Sequence, residues 1–187
     1  TAAHQTGAYW ATRSILQIAE LNEGKLPKGT TRDYPKYEVR GFMLDVARKP
    51  VSMETLEDVA KEMAYYKMNA LHIHLNDNLI FYEDFATTEE AREKAYTGFR
   101  LESDIKKDGN GGKNKADLTN EDMHYTKAEF RQFILNCRAM GIDIIPEFDT
   151  PGHSGAFTKV RPDLMLQGNA SKRAGEQFDL SDAKYAE

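Results

Sequence analysis

The chain has 187 residues, of which 40% are hydrophobic and 29% charged, with a net charge of −5. This is the composition of a soluble globular protein. It offers no basic footprint for nucleic acid, no apolar run long enough to span a membrane, and no signal-peptide pattern. Cys137 is the single cysteine, which excludes an intrachain disulfide and a cysteine metal cluster and leaves the compartment open. Thr1, not Met, opens the sequence, so a longer chain with a leader stays open.

From about Gly7 to Leu21 the sequence has helical character, with Ala8, Ala11, Ile15 and Ile18 close to one stripe. "NEGKLPKGTTRDYPKY" then reads as a linker. From Glu38 the pattern becomes strand, helix, strand, long loop, helix, strand. The first strand, "EVRGFMLDV", sets Phe42, Leu44 and Val46 on one face and Gly41, Met43 and Asp45 on the other. A helix follows, with Ser52 as its N-cap and Leu56, Val59, Ala60, Met63 and Tyr66 on one stripe. In the second strand, "ALHIHLN", Leu71, Ile73 and Leu75 share one face, while His72, His74 and Asn76 share the other. The stretch from about Lys106 to Met123 is rich in Gly, Lys, Asn and Asp and is expected to be mobile or an excursion. "TKAE", Thr126 to Glu129, is a capping box. The helix it opens has Phe130, Phe133, Ile134 and Cys137 as its apolar stripe and Gly141 as its stop. The third strand, "IDIIPEFD", sets Ile142, Ile144 and Phe148 against Ile145, Glu147 and Asp149.

Strands alternating with single helices predict a parallel βαβ arrangement in an α/β protein. In each strand one face is apolar, as it would be beneath helices. The other turns polar towards the C-terminal end: Asp45, then His72, His74 and Asn76, then Glu147 and Asp149. Charge at the end of a core strand is costly to desolvate unless it serves a site. Active sites of (β/α)₈ barrels are built at that end, from several strands converging on one centre. Three strands do not close a barrel, which needs eight over about 250 residues. The expectation is therefore a partial (β/α)₈ TIM barrel, its first three or so βα units, with a further helix starting in "DLSDAKYAE".

Three segments carry a resemblance: "RGFMLDVARK" (40–49), "NALHIHLNDN" (69–78) and "IIPEFDTPGHS" (144–154). Together and in this order the chain resembles glycoside hydrolase family 20, the β-N-acetylhexosaminidases and lacto-N-biosidases. The resemblance covers roughly residues 37–187 and implies the amino-terminal portion of that family's catalytic barrel. Residues 1–36 resemble the end of the small α/β domain that commonly precedes it, plus a linker.

The resemblance implies the following roles. Arg48 matches the arginine that grips the 3- and 4-hydroxyls of the terminal sugar, a task suited to a planar fork of donors. Here "ARK" stands where the family usually has "SRH". Asp77 matches the aspartate that pairs with a histidine, here His153, so that the imidazole can present its other nitrogen to a catalytic acid. Glu147, Asp149, His74 and Asp45 are expected around this pair. On spacing alone, Arg48 reads equally as a surface arginine in an ion pair. Asp77 reads equally as a turn residue in "NDN", and His153 as a loop histidine after a Pro-Gly turn. Glu147 and Asp149 could form a structural ion pair.

By resemblance the whole protein removes terminal β-linked N-acetylhexosamine, or lacto-N-biose, from glycans. It does so by substrate-assisted retaining hydrolysis, in which the sugar's own 2-acetamido oxygen attacks the anomeric carbon. An adjacent Asp-Glu pair on the next strand orients that group and protonates the leaving oxygen. No such pair follows His153, so this stretch is expected to be inactive by itself. No cofactor or metal is expected. N-acetylhexosamine-containing glycans are the expected partners, with the remainder of the barrel or self-association completing the structure. A secreted or bacterial cell-surface location goes with the resemblance. Two other readings stand beside it. "HIH" with Asp77, Asp149 and His153 could hold a metal, as in barrel amidohydrolases, and an arginine with aromatic residues could serve a non-catalytic carbohydrate-binding module.

Overall fold

In the computed structural model the described residues are 1–79, 81–168 and 171–181. Of "DLSDAKYAE" (residues 179–187), where a helix start is expected, residues 182–187 lie outside them. Among the described residues no helix is long and apolar enough to cross a membrane.

The chain runs α1 (Gln5–Leu21), β1 (Gly41–Asp45), α2 (Met53–Tyr65), β2 (Ala70–His74), β3 (Asn76–Asn78), α3 (Thr88–Lys94), β4 (Thr97–Phe99), α4 (Lys127–Ala139), β5 (Asp143–Glu147) and α5 (Gly155–Val160). A three-stranded sheet has the order β1-β2-β5. Its hydrogen bonds run Asn69 N to Arg40 O and Val46 N to His74 O on one side of β2. On the other side they run Asp143 N to Asn69 O and Leu75 N to Glu147 O. Residue numbers rise together along each pair, so the sheet is parallel. The three strands anticipated from sequence are thus neighbours, joined by α2 and by the segment ending in α4. β1 is shorter than "EVRGFMLDV"; just before it, the Arg40 N–H bonds the side-chain oxygen of Asn69 at 2.8 Å.

By packing, the chain divides into two units. One comprises Thr1–Met43, Met53–His72 and Arg131–Ile145; the other comprises Leu44–Ser52, Ile73–Phe130 and Pro146–Glu187.

In the first unit, Leu56, Ala60, Met63, Leu71, Phe133, Cys137 and Ile142 are buried, so the predicted stripes of α2 and α4 do face a core. Tyr66 is 66% exposed and does not belong to that stripe. It lies beyond α2, and the left-handed backbone of Lys67 (φ 58°) redirects the chain there. α1 differs more. Ala8, Ala11 and Ile15 are exposed, while Trp10, Ser14, Gln17 and Ile18 are half-buried. The inward face is set by polar contacts that apolar periodicity does not register. Gln17 Nε2 donates to the Tyr65 carbonyl at 2.7 Å, and Lys67 Nζ donates to Ser14 Oγ at 2.6 Å. Gly141, at φ 77°, ends α4 in a left-handed turn where a Cβ would meet Thr6.

In the second unit, β3 and β4 form an antiparallel ribbon that pairs Asn76 with Phe99, Asp77 with Gly98 and Asn78 with Thr97. Neither three-residue strand has a readable period, and this ribbon is not legible in the sequence. The Thr126–Glu129 capping box opens α4 as expected: Thr126 Oγ1 accepts from Glu129 N at 3.1 Å, and Glu129 Oε2 accepts from Thr126 N at 2.9 Å. The polar stretch 106–123 is an excursion, and it is pinned. Asn114 and Leu118 are buried, Lys115 N donates to the Val160 carbonyl at 3.0 Å, and Leu118 packs with Phe99, Ala156 and Val160.

Candidate active site

The C-terminal ends of β1, β2 and β5 deliver the polar side chains, all within the second unit. Leu75 is fully buried, and the alternation on either side of it sends His74 and Asn76 to the opposite face. The chain then pairs with β4, which carries Asp77 into the interior, where it is only 1% exposed. A buried carboxylate is tolerated only when its lone pairs are met. Asp77 has four donors. Oδ1 accepts from Asn78 N at 2.6 Å and lies 2.8 Å from His153 Nδ1. Oδ2 lies 2.5 Å from both Arg48 Nη2 and His74 Nε2. Burial pushes the Asp77 pKa up, but the Asn78 amide and the two histidines outweigh it and hold the carboxyl below its ordinary value.

His74 is buried between two acids, with Nε2 on Asp77 and Nδ1 2.8 Å from Glu147 Oε2. A neutral imidazole can donate from only one nitrogen, so two carboxylate neighbours favour the imidazolium. Burial lowers the pKa of His74, while the hydrogen bonds to Asp77 and Glu147 raise it by more, and the net shift is upward.

Arg48 sits at the end of β1. Asp45 Oδ1 accepts from the backbone amides of Ala47 (2.9 Å) and Arg48 (3.1 Å), closing a turn. Asp45 Oδ2 takes Arg48 Nη1 at 2.6 Å. The guanidinium therefore spans Asp45 and Asp77. Its Nε is buried and meets no acceptor among the described residues.

His153 comes from the turn after β5 and has a left-handed backbone (φ 56°), a conformation most non-glycine residues avoid. Asn76 holds that turn. Its Nδ2 donates to the carbonyls of Asp149 (3.1 Å) and His153 (3.0 Å), and its Oδ1 accepts from Asp149 N at 2.8 Å. Asn78 holds the next step: its Oδ1 accepts from Gly155 N at 2.8 Å, and its Nδ2 donates to buried Glu176 at 2.9 Å. A Cβ on Gly155 would strike Asn78 Oδ1, so glycine is required there. With Nδ1 on Asp77, Nε2 is the ring nitrogen of His153 left for a second partner.

The structure thus brings Asp45, Arg48, His74, Asp77, Glu147 and His153 into one linked set. Asp149 joins by proximity, its carboxylate lying within 4.8 Å of ligand atoms of His74 and Glu147. Asn76 and Asn78 were missed as positioning residues; their flanking of Asp77 in "NDN" was the available signal. The metal reading fares less well. Among the described residues, the groups close enough to share an ion are Asp45–His74–Asp77 and His74–Glu147–Asp149, neither of which includes His72. Arg48 already occupies Asp45 and Asp77, and both nitrogens of His74 already face carboxylates.

The catalytic domain of glycosyl hydrolase family 20 matches residues 37–186. A beta-hexosaminidase of Akkermansia muciniphila is 35% identical over 155 residues, covering 80% of this chain and 27% of that protein. An N,N'-diacetylchitobiase of Vibrio harveyi is 27% identical over 183 residues, covering 92% of this chain and 20% of that protein. The chain therefore spans about a quarter or less of these curated relatives. A solved GH20 beta-N-acetylhexosaminidase from Streptomyces coelicolor A3(2) superposes with a TM-score of 0.65 at 22% identity, over 96% of this chain and 36% of that one, and shows the α/β fold. With three strand-end motifs inside one continuous match, this chain belongs to glycosyl hydrolase family 20.

Proposed function

We propose that the protein containing this chain is a glycosidase that removes terminal β-linked N-acetylhexosamine, or a disaccharide ending in it, from glycans. Residues 37–187 would form the first βα units of a (β/α)₈ barrel, and residues 1–36 the end of a preceding small α/β domain with its linker. The observation that carries this reading is the buried Asp77 carboxylate with His153 on one oxygen and Arg48 on the other.

In this reading Arg48 grips two neighbouring sugar hydroxyls, held in place by Asp45 and Asp77. Asp77 stays ionised and fixes the His153 ring, whose Nε2 then supports the general acid. His74 and Glu147 hold the far side of Asp77, and Asp149 lies against them. The acid and the acetamide-orienting aspartate would come from chain outside these residues, since no Asp-Glu pair follows His153. Substrate-assisted attack by the 2-acetamido oxygen then needs no enzyme nucleophile.

Hydrolysis of an aryl N-acetyl-β-glucosaminide by the full-length protein tests this. Asp77→Asn is expected to lower kcat by about two orders of magnitude or more, the scale of general acid–base assistance. Activity that needs no N-acetyl group on the substrate, or an Asp77→Asn enzyme as fast as the parent, would refute the reading.

A further inference from the structure

Arg100 has no role in the site so far, yet it is completely buried just after β4. A buried guanidinium is tolerated only when its donors are met. All five N–H donors of Arg100 are engaged. Nε donates to the Val46 carbonyl at 2.9 Å, and Nη2 donates to the Ala47 carbonyl at 2.7 Å and to the Tyr96 hydroxyl. Nη1 donates to the Met123 carbonyl at 3.0 Å and to Asp122 Oδ1 at 3.3 Å.

Two of these partners are the consecutive carbonyls just before Arg48. The amides of the same turn are held from the other side by Asp45 Oδ1. Gly98 backs the turn as well: a Cβ there would collide with the Ala47 carbonyl. The root of Arg48 is therefore fixed through both its preceding carbonyls and its own amide. From that root its guanidinium spans Asp45 and Asp77. The planar fork offers two nitrogens at a fixed spacing to two adjacent carbonyls, where an ammonium offers a single nitrogen.

We propose that Arg100 is a positioning residue for sugar recognition: by clamping the Val46 and Ala47 carbonyls it sets the pose in which Arg48 meets the substrate's hydroxyls. This rests on the reading of Arg48 as the sugar grip.

The test uses the full-length protein with Arg100→Lys, Tyr96→Phe and Arg48→Lys. Inhibition constants are measured for N-acetylglucosamine and its 4-deoxy analogue, with KM and kcat for the aryl glycoside. Arg100→Lys is expected to raise the N-acetylglucosamine constant and KM about tenfold, as for one lost charged hydrogen bond. It should leave kcat within about twofold, the pattern of lost uniform binding, and narrow the preference over the 4-deoxy analogue. Tyr96→Phe, which removes one partner of Arg100, should act in the same direction by about threefold. If Arg100→Lys cannot be recovered folded, Tyr96→Phe decides. Inhibition constants within twofold of the parent, or equal weakening of both ligands, overturn the proposal while Arg48→Lys remains defective. If Arg48→Lys itself binds both ligands as the parent does, the sugar-grip reading falls and the role of Arg100 with it.

Discussion

Asp77 gathers four donors on one buried carboxylate, and the neighbouring charges follow from that. Arg48 bridges it to Asp45, so Arg48→Lys removes a fork that one ammonium cannot replace. In the full-length protein this substitution should weaken an N-acetylglucosamine-type inhibitor by one to two orders of magnitude, since a hydrogen bond to a charged group contributes about 1.5–3 kcal/mol. An unchanged inhibition constant would place Arg48 away from the sugar. His74 gives a pH signature. Its pKa is raised in the folded protein, so its pairing with Asp77 and Glu147 stabilises fully below the unfolded value of about 6.5. That contribution is lost as pH rises through the higher folded value. The Asp77 contribution has the opposite sense: it is present above about pH 3.9 and is lost only as pH falls through its lowered folded value. His74→Gln should therefore destabilise most near pH 6, and the gap from the parent in denaturation midpoint should narrow towards pH 9. A gap that widens with rising pH would contradict the charged assignment.

Among the elements, the turn after β5 depends on a side chain from β3. Asn76 meets the carbonyls of Asp149 and His153 and the amide of Asp149. Asn76→Ala would take a partner from each of these half-buried groups, leaving the Asp149 carbonyl only Ser154 Oγ at 3.3 Å, and a polar group left unmet costs about 1–3 kcal/mol when fully buried. We expect a loss of stability on that scale in chemical denaturation. A fall in kcat larger than that of an equally destabilising substitution elsewhere should accompany it, because His153 loses its left-handed support. Equal kcat for both would separate the turn from catalysis. The β3–β4 ribbon serves the same end: it buries Asp77 and brings Gly98 against the Ala47 carbonyl.

For the whole molecule, the sheet order β1-β2-β5 leaves one side of β1 and one side of β5 without a strand among the described residues. Phe42, Met43, Ile145 and Phe148 are 41–51% exposed. Unpaired parallel edges with apolar flanks are surfaces that proteins ordinarily cover. The 187-residue chain produced alone should therefore self-associate in sedimentation, and it should not cleave an aryl N-acetyl-β-glucosaminide. A stable monomer, or turnover abolished by Arg48→Lys, would contradict these expectations.

The sequence by itself determined the three parallel strands, α2 and the α4 capping box, because long elements carry their period and caps locally, and the family through the resemblance of three motif segments. It pointed to Arg48, Asp77 and His153 only through that resemblance, since spacing alone reads each equally as a surface, turn or loop residue. The inward face of α1 was decided by tertiary contacts of Ser14 and Gln17, which hydrophobic spacing does not register. The β3–β4 ribbon was too short to show a period. Only the tertiary structure decided that His74 lies between Asp77 and Glu147, that Asn76 and Asn78 hold the His153 turn, and that Arg100 clamps the residues before Arg48. Each of these bonds joins side chains and backbone brought together by pairing distant segments, and no local sequence pattern encodes that meeting.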